Sequence, residues 1–149
     1  MVNFLPYGRQ SVDADDVAAV LGVLEADRLT TGPVVEKFEE AFAAAVGARH
    51  AIASSSGTAA LHLAVLALGL NSDDAAVVPT LTFVATANAV RLAGAEAIFA
   101  DVDPDTGLMG PDQLEAAAAR YWGGRRLRAA IPMHLNGQPC GMVSLGKVA

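Results

Sequence analysis

Apolar side chains between Asp13 and Ala26 recur at Val17, Val20, Leu21 and Leu24, a spacing that gathers them on one stripe of a helix. Acidic residues crowd its first turn, where the helix dipole favours them. A second amphipathic helix is predicted over Val34–Val46, with Val35, Phe38, Phe42 and Val46 on its apolar side and Gly47 as its stop. The pattern then changes. His50–Ala53 reads as a short buried strand, Ser54, Ser55, Ser56 and Gly57 break it, and Thr58–Leu68 runs at helical density until Gly69. Beyond it the same alternation repeats. Strands are predicted at Ala75–Val78, Ala97–Ala100 and Leu127–Pro132, and helices at Val84–Ala93, from Pro111 to about Tyr121, and starting at Val143–Ala149. Asn3–Ser11, with Pro6 and Gly8, reads as an extended arm.

Strands alternating with helices imply βαβ crossovers, so the fold class is α/β with a mostly parallel sheet and flanking helices. Ligands of such sheets collect at the carboxyl ends of the strands. Three loops are expected there: Ser54–Thr58, Pro79–Phe83 and Met133–Gln138. The first exposes the leading N–H groups of a helix and suits an anion such as a phosphate. It equally reads as a plain connection in which Ser or Thr caps the helix. The second loop offers Phe83 for stacking, although Phe83 also reads as a core aromatic beneath the following helix. The third offers His134, Asn136 and Gln138 for hydrogen bonding. A phosphate seat beside an aromatic platform suits a phosphorylated planar ring.

At 149 residues and 53% hydrophobic content the chain is about one domain with ample core. A net charge of −6, with no basic cluster beyond Arg125, Arg126 and Arg128, argues against a nucleic-acid partner. No apolar run reaches the length of a membrane span, and Met1–Gln10 lacks the cationic start and apolar core of a signal peptide. The single cysteine, Cys140, forms no internal disulfide and fits a reducing compartment; the expected location is cytoplasmic. Other chemistries find no motif. SSSGTA lacks the GxGxxG of a dinucleotide binder, no GxSxG elbow exists, and His50, His62 and His134 are not spaced as a metal-ligand cluster.

Six stretches, FLPYGRQ, DRLTTGP, SSGTAALHLAVLALGL, VPTLTFVATANAV, DVDPDTG and IPMHLNGQP, stand in an order and spacing that resembles the N-terminal part of the DegT/DnrJ/EryC1/StrS sugar aminotransferases. FLPYGRQ with LTTGP looks closest to the branch making UDP-4-amino-4,6-dideoxy-N-acetyl-β-L-altrosamine, a pseudaminic acid precursor. The resemblance implies the N-terminal part of the large domain of the aspartate-aminotransferase fold (fold type I), pyridoxal 5'-phosphate as cofactor, a nucleotide-sugar substrate, glutamate as amino donor and a homodimeric parent enzyme. It implies further that Gly57, Thr58 and Ala59 hold the cofactor phosphate and that Phe83 lies against the pyridine ring. Tyr7, Asp27, Arg28, Leu29 and Thr30 match positions lining the sugar-nucleotide site.

Transamination on this cofactor needs a lysine for the Schiff base and a carboxylate at the pyridinium nitrogen. The resemblance places both beyond Ala149. The only lysines, Lys37 and Lys147, do not stand in the family's lysine motif. The expectation is therefore a partial large domain, with an N-terminal arm over residues 1–12, unable to transaminate alone. Two alternatives stay open: a sugar dehydratase of the same family, with histidine in place of that lysine, and a non-catalytic remnant domain.

Overall fold

The computed structural model describes residues 8–149, which form two compact units, one up to Ala53 and one from Ser54 to Ala149. In the first unit, helix α1 (Ala14–Leu24) is opened by a capping box. The Asp13 carboxylate accepts the Asp15 and Asp16 N–H groups, each at 3.0 Å, while Asp16 accepts the Asp13 N–H at 3.0 Å. Helix α2 (Pro33–Val46) begins on a proline whose missing N–H costs nothing there and ends on Gly47 in the left-handed region. Both helices match the periodicity, yet their stripes are not buried. Val17, Val20, Leu21 and Leu24 are exposed, as are Phe38 and Phe42, whose rings pair at 6.0 Å. Among the described residues of this unit, Ala43 alone is a buried apolar side chain.

The strand expected at His50–Ala53 does not form. The Ala53 N–H donates to a Glu39 carboxylate oxygen at 2.7 Å instead of to a neighbouring strand, and Ile52 is 81% exposed. An apolar run becomes a strand only where a ladder receives its backbone, and among the described residues none is present beside this one.

The second unit is a three-layer αβα sandwich. It contains α3 (Gly57–Ala67), β1 (Asp74–Pro79), α4 (Ala85–Leu92), β2 (Glu96–Ala100), α5 (Pro111–Ala119), β3 (Arg126–Ala130) and α6 (Met142–Val148). The sheet order is β2-β1-β3 and both pairings are parallel. The central strand β1 is buried along its whole length, which explains its unbroken apolar run. Its alternating side chains feed two cores. Ala76 and Val78 pack with Val65, Leu70, Ala89 and Val90 on the α3 and α4 side. Val77 packs with Met109, Leu114, Cys140 and Leu145 on the α5 and α6 side.

The path of the chain sets the direction of α3. Only six residues separate its last residue, Ala67, from β1, so its C-terminus lies near the amino edge of the sheet. Its 11 residues, about 1.5 Å each, run back over the sheet through Val65 and Leu61 towards the carboxyl edge. The N-terminus of α3 therefore opens on the side from which the loops after β1, β2 and β3 depart.

Candidate functional site

Ser56 takes an extended backbone (φ −165°, ψ 162°) and caps α3, its Oγ accepting the Ala59 N–H at 3.1 Å. The capping alternative is thus realised, but it engages only one of the leading amides. The Ala60 N–H reaches Ser56 O at 2.9 Å, while the Gly57 and Thr58 N–H groups meet no acceptor among the described residues. Both residues are exposed and the first turn carries no acidic side chain, so the positive end of the dipole is left uncompensated. A Cβ built on Gly57 meets nothing within 4 Å. The fold itself does not demand glycine there.

Phe83 stands between β1 and α4 and is 71% exposed, so it is not a core aromatic. Its carbonyl accepts the Thr86 N–H at 3.0 Å, and the Thr82 and Thr86 hydroxyls bond at 2.8 Å, which fixes the turn that presents the ring. Since α3 and α4 pack on the same face of the sheet, one αβα unit carries both Gly57–Ala59 and Phe83.

The loops after β2 and β3 are built as rigidly. The Asp103 carboxylate accepts the Thr106 N–H (2.9 Å), the Thr106 hydroxyl (3.0 Å) and the Asp105 N–H (3.1 Å). These donors, the Thr106 amide foremost, hold Asp103 below its ordinary carboxylate range. The aspartates of this loop thus shape a turn. After β3, Asn136 (φ 51°) and Gly137 (φ 77°) form a tight turn in which Leu135 and Gln138 exchange backbone hydrogen bonds of 3.1 and 2.8 Å. Cys140 closes its base, donating its N–H to His134 Nδ1 at 3.0 Å and its thiol to Met133 O at 3.1 Å. Burial pushes the Cys140 thiol up, and with its hydrogen given to Met133 O the residue serves as a structural clamp.

Of the residues matched to the sugar-nucleotide site, Asp27, Arg28, Leu29 and Thr30 fall in the first unit. Asp27 and Arg28 line a cavity of about 500 Å³ together with Thr31 and Glu36. Leu29 is exposed and Thr30 accepts the Thr31 hydroxyl at its carbonyl, 2.8 Å away; neither lines that cavity. Tyr7 lies outside the described residues. Thr31 holds φ 50°, an unusual backbone for a β-branched residue, beside buried Gly32. Neither the Thr31 strain nor the Cys140 clamp has a signal in hydrophobic periodicity. Both lysines are exposed helix positions, and no group of three or more potential metal ligands exists among the described residues. No helix among the described residues is long and apolar enough to cross a membrane.

Residues 10–149 match the DegT/DnrJ/EryC1/StrS aminotransferase family, and the chain belongs to it. It is similar to a DegT/DnrJ/EryC1/StrS aminotransferase from Brucella abortus, with 38% identity and a TM-score of 0.82 over 89% of this chain and 36% of that one. An aminotransferase from Psychrobacter cryohalolentis matches with 31% identity and a TM-score of 0.85 over 97% of this chain and 36% of the other. NtdA from Bacillus subtilis, solved with bound pyridoxamine phosphate, matches at 34% identity and a TM-score of 0.80 over 93% of this chain and 32% of its own. The chain thus spans about a third of the length of these relatives. The αβα unit has fold type I of the pyridoxal-phosphate-dependent transferases, as the family match and these neighbours establish.

Proposed function

We propose that this chain is the cofactor-phosphate-binding part of a pyridoxal-phosphate-dependent aminotransferase that acts on a nucleotide-linked 4-keto-6-deoxy sugar. The observation that carries the reading is the uncapped pair of amides at Gly57 and Thr58, at the front of a helix with no acidic first turn. Two N–H groups, the Thr58 hydroxyl and the open space beside Gly57 fit a phosphate monoester. Phe83 supplies an exposed flat face for the attached heterocycle. When bound, the cofactor supplies an electron sink for moving an amino group. The chain's own residues fix its phosphate and cover its ring; the Ser56 cap holds the helix end still while they do so.

The sugar-nucleotide side of the reading rests on Tyr7 and Asp27–Thr30, with the cavity at Asp27 and Arg28 as its physical support. In its narrower form, carried by FLPYGRQ and LTTGP, the product is UDP-4-amino-4,6-dideoxy-N-acetyl-β-L-altrosamine. Glutamate as donor and a homodimeric parent belong to the same proposal, and so does a cytoplasmic location. Because Lys37 and Lys147 are exposed and outside the family's lysine motif, the chain alone is proposed to hold the cofactor without a covalent link and not to transaminate.

The test is calorimetric titration of the purified chain with pyridoxal phosphate, followed by borohydride reduction and peptide mapping. Saturable binding that inorganic phosphate displaces, with no stoichiometric pyridoxyl-lysine, is the expected result. Absence of binding, or a stoichiometric adduct at Lys37 or Lys147, overturns it.

A further inference from the structure

The loop after β3 contains an imidazole whose two nitrogens have been given different tasks by the fold. His134 Nδ1 accepts the Cys140 N–H at 3.0 Å, so that nitrogen carries a lone pair and the ring proton of the neutral imidazole sits on Nε2. The clamp behind it is firm. Cys140 is 5% exposed, is seated in the core with Met109, Leu114 and Leu145, and spends its thiol hydrogen on Met133 O. The Nε2–H, by contrast, meets no acceptor among the described residues, and His134 is exposed.

The position of this donor is set by the strands. All three strands are parallel, so the segments after Pro79, Ala100 and Ala130 leave one edge of the sheet. They also touch. Gly107, from the loop after β2, faces Leu81 from the loop after β1 and Leu135, the neighbour of His134. A hydrogen-bond donor of fixed tautomer, held on a two-residue turn at the edge where Phe83 is also presented, is preorganised for an acceptor that the protein does not itself supply.

We propose that His134 is a ligand-positioning residue that donates its Nε2–H to an oxygen borne by the ring of the bound phosphorylated heterocycle, not to its phosphate. This rests on the reading of α3 and Phe83 as a pyridoxal-phosphate site. The division of labour follows from the geometry: the α3 amides hold the phosphate end, and His134 orients the ring.

The test uses the full chain labelled with ¹⁵N-histidine, observed by long-range ¹H–¹⁵N correlation before and after adding pyridoxal phosphate or inorganic phosphate alone. The free chain is expected to show the Nε2–H tautomer at His134. Pyridoxal phosphate is expected to shift that signal, and inorganic phosphate to leave it in place. In parallel, His134→Phe keeps a ring without nitrogens and is expected to weaken pyridoxal phosphate binding by about tenfold. His134→Gln restores a side-chain N–H and is expected to recover most of the loss. A static His134 signal on saturation with pyridoxal phosphate, a shift produced equally by inorganic phosphate, or unchanged affinity in the Phe variant overturns the inference and leaves the phosphate site standing. If the wild-type chain binds no pyridoxal phosphate, the underlying reading falls and the inference with it.

Discussion

Leu135 sets its Cδ2 methyl 2.9 Å from the point that a Cβ on Gly107 would occupy, and Leu81 places its own Cδ2 methyl 3.3 Å from the same point. Gly107 also holds φ 70°, which an L side chain adopts only under strain. Three loops meet where a side chain has been left out. Gly107→Ala is therefore expected to destabilise the chain by about 2 kcal/mol or more, the backbone strain and the steric overlap each contributing. Urea denaturation measures it. Combining the change with Leu135→Ala removes the overlap and leaves the strain, so the double variant should lose less than the sum of the two single losses.

Gly57 gives the opposite result. It lies at the first turn of α3, its Cβ direction is open, and its φ is not in the left-handed region. Alanine suits a helix better than glycine, so Gly57→Ala should leave the thermal midpoint unchanged or raise stability by up to about 1 kcal/mol. If the open space is where a phosphate approaches the amides, the same substitution weakens pyridoxal phosphate binding severalfold. A variant that is more stable and binds less well separates ligand from fold as the reason for glycine. One that binds equally well counts against the phosphate site.

These two glycines mark how far the sequence could be read. Stops at Gly47 and Gly69, both at positive φ, and the proline opening of α5 were legible because each acts through its own backbone, whereas Pro33, read as the end of a loop, opens α2 one residue before the expected start. The α/β alternation was legible for a similar reason, since β1 is apolar from Ala75 onward and the helices around it are short and well punctuated. His50–Ala53 misled because three apolar residues in a row say nothing about whether a ladder awaits them; Glu39, fourteen residues earlier in the chain, takes the Ala53 N–H. At the site, the small-residue turn before α3 is a local feature and could be anticipated, whereas the exposure of Phe83 decides between two readings that its position in the sequence left open. The exclusive use of Ala59 by the Ser56 cap, and the locking of His134 by Cys140 across a turn, depend on three-dimensional closure that no periodicity encodes.

The Asp103–Thr106 turn carries a pH dependence of defined sign. Its donors lower the folded-state value of Asp103 below 3.8, the ordinary value that it regains on unfolding. The stabilisation is therefore complete above that ordinary value and is lost as pH falls through the lowered folded one. Melting curves taken from neutral pH down to about pH 2 should show an acid-side decline that Asp103→Asn flattens. Thr106→Val deletes the hydroxyl donor and should move the Asp103 titration, followed by NMR, back towards 3.8. An unmoved Asp103 titration would mean that the amide donors alone set its value.

At the amino edge of the sheet, Asp74 opens β1 with a side chain that is fully buried, and its Oδ1 faces Arg126 at 2.9 Å. Asn71 N–H supplies Oδ2 at 3.2 Å, but Oδ1 has no hydrogen bond beyond that ion pair. The two partners are unequal, because Arg126 keeps 63% of its side chain exposed while Asp74 keeps none. Removing the cation strands a carboxylate in the core, whereas removing the carboxylate frees an arginine that water already solvates. Arg126→Met should thus cost about 2–4 kcal/mol. Asp74→Asn, which keeps an acceptor for Asn71 without the charge, should cost less. Urea denaturation at neutral pH reads both, and equal losses in the two variants would show that the pair contributes by contact alone and not by neutralising a buried charge.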